Sequence, residues 1–166
     1  MHLDDFNRAA VPEARAVVSV WAAIPTWVDA IVAARPYSSV DALAEAAGML
    51  AASWGLPELE AALAHHPRIG EKPSGAGAEA AASRREQASM ADADTSVADR
   101  IAAGNAAYEQ RFGRVFLIRA AGRSPDEILA ELQRRLTSDS DAEIAEACDQ
   151  LAQIALLRLH AAFAEG

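Results

Sequence analysis

Seven prolines and nine glycines cut an alanine-rich chain of 166 residues into lengths that suit helices and little else. Alanine is the strongest helix former and a poor core filler, so such a chain packs helices closely and does not build a sheet. Proline has no N–H and pushes the residue before it out of the α region, so each proline marks a helix boundary. The punctuation predicts a short helix from Leu3 to Ala10, closed by Pro12, then one over Glu13–Ala23, ended by Pro25. Further helices follow over Trp27–Ala34, stopped at Arg35-Pro36, and over Val40–Ser53, capped by Ser39. Gly55 breaks that helix and Pro57 opens the next, 57–64. Beyond the Pro67–Gly70 loop come Glu79–Met90 and a long helix from Thr95 or Ser96 to Phe112, stopped by Gly113. Ser124-x-x-Glu127 and Ser140-x-x-Glu143 match the capping box and open helices 125–136 and 141–163. The expectation is one all-α domain over residues 1–166, with about eight helices. Val115-Phe116-Leu117-Ile118 is the one strand-like run, too short and solitary to imply a sheet.

The formal net charge of −9 excludes a general nucleic-acid binder, which needs a basic face, and an anionic membrane surface as partner. An anionic small molecule stays open, because one buried arginine can dominate its own pocket. Cys148 is the single cysteine. It sits among carboxylates at Glu146 and Asp149, which raise a thiol pKa, and reads as a helix residue. No apolar run reaches the length of a membrane span, and the first residues lack the pattern of a signal peptide. A soluble, cytoplasmic protein is expected.

Two polar segments stand out against the alanine background. His65 and His66, with Pro67, Arg68, Ile69, Gly70 and Glu71, form a loop carrying two imidazoles, a guanidinium and a carboxylate. A histidine at a helix end is more often a charge partner for the helix C-terminus than a catalyst, yet it also suits acid/base work near neutral pH. No His or Cys follows at ligand spacing, so no metal site is expected. Ser83, Glu86 and Gln87 fall at i, i+3 and i+4 and share one helix face. That face either lies wet or offers a hydroxyl, a carboxylate and an amide to a small heterocycle. Arg158 lies in the apolar run Leu156-Leu157-Arg158-Leu159, where snorkelling to the surface is favoured over a role in an anion pocket. The stretch 72–77, with its proline and two glycines, reads as a connector or a lid.

Five pieces in order give these residues a collective meaning. They are His66-Pro67-Arg68-Ile69-Gly70, Ser83-x-x-Glu86-Gln87, Asn105-x-x-Tyr108-x-x-x-Phe112-Gly113, the run Phe116 to Arg123, and Leu157-Arg158-Leu159. Together with Leu3-x-x-Phe6-Asn7, they make the chain resemble the OHCU decarboxylase family, the 2-oxo-4-hydroxy-4-carboxy-5-ureidoimidazoline decarboxylases of urate breakdown. The resemblance implies an all-α homodimeric enzyme, free of metal and organic cofactor, that acts after uricase and 5-hydroxyisourate hydrolase and yields (S)-allantoin. It puts the catalytic groups at His66, Glu86 and Arg158, with Arg134 and Arg135 as rivals for the arginine. Substrate contacts fall on Pro67, on Ser83, Arg84, Arg85, Glu86 and Gln87, and on the backbone of Phe116, Leu117, Ile118, Arg119 and Ala120. Other readings of the same residues are a helical docking module, a ureide-binding sensor, or a different lyase or hydrolase acting on a ureide.

Overall fold

A computed structural model describes residues 1–64, 66–71 and 77–164. Among them it shows helices and no strand: α1 (Leu3–Arg8), α2 (Val11–Trp21), α3 (Pro25–Ala33), α4 (Val40–Ala51), α5 (Leu56–Leu63), α6 (Ala78–Glu86), a 3-10 turn (Ala88–Asp92), α7 (Thr95–Phe112), α8 (Pro125–Arg135) and α9 (Ser140–Ala164). The all-α expectation holds. His65 and most of the 72–77 connector lie outside the described residues.

Prolines act more as starters than the sequence reading allowed. Pro12 and Pro25 stand inside the first turns of α2 and α3, where the missing N–H would have had no helical partner anyway. Ser39 caps α4 by accepting from the Ala42 N–H at 3.0 Å. The Ser124–Glu127 capping box is reciprocal, with the Ser124 N–H donating to Glu127 at 2.7 Å and the Glu127 N–H to Ser124 Oγ at 3.2 Å. The second expected box does not form. Asp139 caps α9 instead, accepting from the Ala142 N–H at 3.0 Å, while Glu143 turns inward to a buried arginine. The expected Glu79–Met90 helix also breaks, ending at Glu86 and giving way to the 3-10 turn.

Two hydrophobic cores result. The larger gathers Phe6, Trp21, Trp27, Ile31, Leu43 and Leu59 from the first five helices around Leu151, Ile154 and Leu159 of α9. The smaller packs α7 against α8 through Ile101, Tyr108, Ile128 and Leu132, with Ile69 from the loop. α9 supplies an apolar face to the larger core: Cys148, Leu151, Ile154, Ala155 and Leu159 are buried. Burial, with the nearby Glu58 carboxylate, pushes the Cys148 thiol upward, as expected of an inert core cysteine.

The strand-like run threads between the two cores. Phe116, Ile118 and Ala120 pack into the smaller one and Leu117 into the larger, the alternation of an extended segment buried on both faces. Without a sheet, its backbone groups must find other partners.

Candidate active site

The loop, the C-terminal end of α6, the 116–120 segment and the middle of α9 meet at one pocket. Its walls are His66, Pro67, Ile69, Ser83, Glu86, Gln87, Phe116, Leu117, Ile118, Ala120 and Ile154. The loop is anchored from three sides. Ile69 is buried, its carbonyl accepts from Asn105 Nδ2 at 3.0 Å, and the Gly70 N–H donates to Gln87 Oε1 at 3.0 Å. Gly70 has φ +86°, a backbone region open chiefly to glycine. These ties hold His66, half-buried at the start of the loop, against the pocket.

Arg158 does not snorkel. Its side chain is only 4 % exposed, and it forms a two-pronged ion pair with Glu86, itself 19 % exposed. Nε donates to Glu86 Oε1 at 2.6 Å and Nη2 to Oε2 at 2.9 Å. Nη2 also reaches Ser83 Oγ at 3.2 Å, and Nη1 the Val20 carbonyl at 3.0 Å. Snorkelling fails because three polar partners, one of them a carboxylate, satisfy the guanidinium inside the molecule; parallel N–H···O bonds of this kind are the strongest an arginine makes. The face of α6 carrying Ser83 and Glu86 is therefore turned into the protein and not wet.

The rival arginines are committed elsewhere. Arg134 pairs at the surface with Glu131 and Glu146. Arg135 is fully buried against Glu143, donating to both carboxylate oxygens, while its Nη1 donates to the Leu117 carbonyl at 2.7 Å. Tyr108 completes this cluster, its hydroxyl donating to Glu143 Oε1 at 2.5 Å.

The remaining expected contacts divide. Pro67, Ser83, Gln87, Phe116, Leu117, Ile118 and Ala120 line the pocket with His66 and Glu86. Arg84 and Arg85 do not; both are exposed, and Arg85 borders a wider apolar groove of about 770 Å³ that shares Glu86 as a wall. Arg119 does not line the pocket either. Its N–H is spent on Gln150 Oε1 at 2.9 Å, and its carbonyl accepts from Arg123 Nε at 3.1 Å. Sequence reasoning missed Ile154 and Gln150. The signal was available, since Gln150, Ile154 and Arg158 recur every four residues and form one stripe of α9. No cluster of three or more His, Cys, Asp or Glu side chains with metal-binding geometry occurs among the described residues, and no described helix is long and apolar enough to cross a membrane.

Residues 7–160 match the family model for OHCU decarboxylase. The chain belongs to the OHCU decarboxylase family. A relative from Haloferax volcanii, 2-oxo-4-hydroxy-4-carboxy-5-ureidoimidazoline decarboxylase, is 31 % identical over 126 residues, covering 75 % of this chain and 73 % of the relative. The fold is that of two solved structures. One, OHCU decarboxylase in the presence of (S)-allantoin, superposes with a TM-score of 0.73 at 23 % identity over 87 % of this chain and 94 % of the other. The second, (S)-allantoin synthase, has a TM-score of 0.70 at 16 % identity, and covers 97 % of this chain but 54 % of its own length.

Proposed function

We propose that this chain decarboxylates 2-oxo-4-hydroxy-4-carboxy-5-ureidoimidazoline to (S)-allantoin in urate breakdown, with His66, Glu86 and Arg158 as its catalytic groups. The observation that carries this reading is Glu86, which lines the pocket with His66 and is held by a two-pronged ion pair to the buried Arg158, in a chain of this family. An arginine offering a planar fork suits a ligand carboxylate, and a carboxylate with an imidazole suits two proton movements.

The substrate bears a hydroxyl and a carboxylate on one ring carbon beside a carbon–nitrogen double bond. When the carbon–carboxylate bond breaks, carbon dioxide leaves and its bonding pair forms a carbon–carbon double bond within the ring. The former carbon–nitrogen π pair moves to nitrogen, which takes up a proton. The hydroxyl then gives up its proton and becomes a carbonyl, while the neighbouring carbon gains a proton on one face. One proton is consumed overall and no external electron acceptor is needed, so the reaction runs without a cofactor. Glu86 and His66 share the proton work, one holding the hydroxyl and the other managing the proton on carbon. Protonation from one side gives the (S) product.

With Glu86 turned onto Arg158, the pocket beside it has a volume of only about 20 Å³, close to that of a single water. The substrate is larger, so the pocket must open to admit it. In this reading its carboxylate reaches Arg158, which walls the adjoining groove on the other side of Glu86, by displacing Glu86 from the guanidinium. That exchange frees Glu86 for the hydroxyl. It also keeps Arg158 from stabilising the ground-state carboxylate too well, which would slow its loss. The enzyme works as one helical domain, assembled as a homodimer in the cytoplasm, after uricase and 5-hydroxyisourate hydrolase. His66→Ala and Glu86→Ala each lower kcat by at least about a hundredfold, the usual scale for an acid/base group. Near-normal turnover in either folded variant removes that residue from the mechanism.

A further inference from the structure

The 116–120 segment runs between two cores with no neighbouring strand, yet two of its backbone groups are gripped by buried side chains. Arg135, 0 % exposed, donates to the Leu117 carbonyl, and Gln150, 7 % exposed, accepts from the Arg119 N–H. A trans peptide is planar, with its C=O and N–H pointing in opposite directions, and the cis bond of this structure lies elsewhere, at Arg35-Pro36. Holding the Leu117 carbonyl therefore aims the Ile118 N–H away from Arg135. Holding the Arg119 N–H aims the Ile118 carbonyl away from Gln150. Among the described residues neither Ile118 group has a hydrogen-bond partner, although Ile118 is buried and lines the pocket. Buried backbone groups are seldom left in that state without a purpose.

We propose that Arg135 and Gln150 are positioning residues: they fix the 116–120 backbone so that the Ile118 N–H and C=O face the pocket as a donor–acceptor pair. The ligand feature this pair fits is a planar N–C=O unit that offers one N–H and one carbonyl along the same edge. Strand edges capture peptides by the same complementarity. This inference rests on the ureide reading of the pocket, in which the 116–120 backbone already touches the substrate. The ureido arm and the ring amide both contain such a unit, and what is added is the hold of Arg135 and Gln150 on that backbone. Glu143 and Tyr108 contribute indirectly. Glu143 neutralises Arg135 in the core, and Tyr108 bonds Glu143.

Gln150 is the better handle for a test, since truncating Arg135 would strand Glu143 as a lone buried charge. Gln150→Met keeps the length of the side chain but loses the acceptor, and Gln150→Glu restores an acceptor. Turnover of the ureidoimidazoline substrate is measured for wild type, both variants and Leu43→Ala, a core truncation outside the site. In parallel, ¹⁵N-labelled wild type is titrated with (S)-allantoin. The expected results are a KM raised about tenfold in Gln150→Met, the equivalent of one lost hydrogen bond, with kcat within about threefold, and recovery of KM in Gln150→Glu. Leu43→Ala lowers thermal stability and leaves KM alone, and the Ile118 amide proton shifts downfield as (S)-allantoin binds wild type. An active wild type with an unchanged KM in Gln150→Met, or with an Ile118 amide that ignores (S)-allantoin, overturns the positioning role alone. A folded wild type that neither turns over the substrate nor binds (S)-allantoin overturns the ureide reading and this inference with it.

Discussion

Glu86→Gln separates what the Glu86–Arg158 pair does for folding from what it does for chemistry. The change keeps shape and removes one charge, leaving Arg158, only 4 % exposed, with no carboxylate against it. Removing one partner from a fully buried ion pair costs about 3–5 kcal/mol. Two features lower that figure here. Glu86 keeps 19 % of its side chain exposed, so water reaches the vacated charge. The glutamine oxygen can still accept one of the two N–H bonds, and a hydrogen bond to a charged group is worth about 1.5–3 kcal/mol. A net loss of about 2 kcal/mol follows, which in a chain of this size lowers Tm by about 4–8 °C. Thermal unfolding followed by far-UV circular dichroism measures this, alongside turnover, which falls at least about a hundredfold. The double variant Glu86→Gln/Arg158→Met removes the stranded cation, so stability returns toward wild type while turnover does not. A Tm shift below about 1 °C in Glu86→Gln, against the scale expected for a chain of this size, would show that Arg158 is neutralised by something other than Glu86. That result would refute the electrostatic account of the pocket.

Two further perturbations probe the frame around the site. A Cβ at Gly104 would meet Leu132 Cδ2 at 2.6 Å and Cγ at 3.0 Å, and Leu132 is completely buried, so Gly104→Ala forces α7 and α8 apart. Overpacking costs about 1–3 kcal/mol and outweighs the roughly 1 kcal/mol gained in helix propensity; denaturant titration should show a net loss, and a stabilised variant would contradict the close approach of these helices. Burial, reinforced by the bond to Glu143, pushes the Tyr108 phenol well above its ordinary value of 10.0. The unfolded phenol ionises near pH 10 while the folded one stays protonated, so this contribution is whole below about pH 10 and is lost as pH rises toward the folded value. Denaturation midpoints measured between about pH 9 and 11, the range spanning the unfolded phenol's ionisation, should fall more steeply for wild type than for Tyr108→Phe. Identical slopes would mean that Tyr108 ionises as freely in the folded chain as in the unfolded one.

The helices were legible because proline, glycine and cap residues act locally, and the Ser39 and Ser124 caps need nothing from the rest of the chain. Where local and long-range demands compete, the sequence misleads. Ser140-x-x-Glu143 has the letters of a capping box, but Arg135 in the core requires a carboxylate, and Glu143 answers it. Arg158 reads as a snorkelling residue because its sequence neighbours are apolar. Its actual partners, Glu86, Ser83 and Val20, lie 72 to 138 residues away, beyond any periodicity argument. His66, Pro67, Ser83, Glu86 and Gln87 were found as short polar clusters and do meet at the pocket. Arg84 and Arg85 were carried along as chain neighbours, yet a helix turns adjacent residues to different faces. The solitary apolar run Val115–Ile118 was visible, but the grip of Arg135 and Gln150 on it depends on tertiary placement.

The most direct test of the central claim is a circular-dichroism time course of urate oxidation products made freshly by uricase and 5-hydroxyisourate hydrolase, with and without this protein. A site built on His66, Glu86 and Arg158 that decarboxylates and protonates from one face gives rapid, optically active (S)-allantoin only when the protein is present. Slow, racemic allantoin in both samples, with the protein folded, would contradict it.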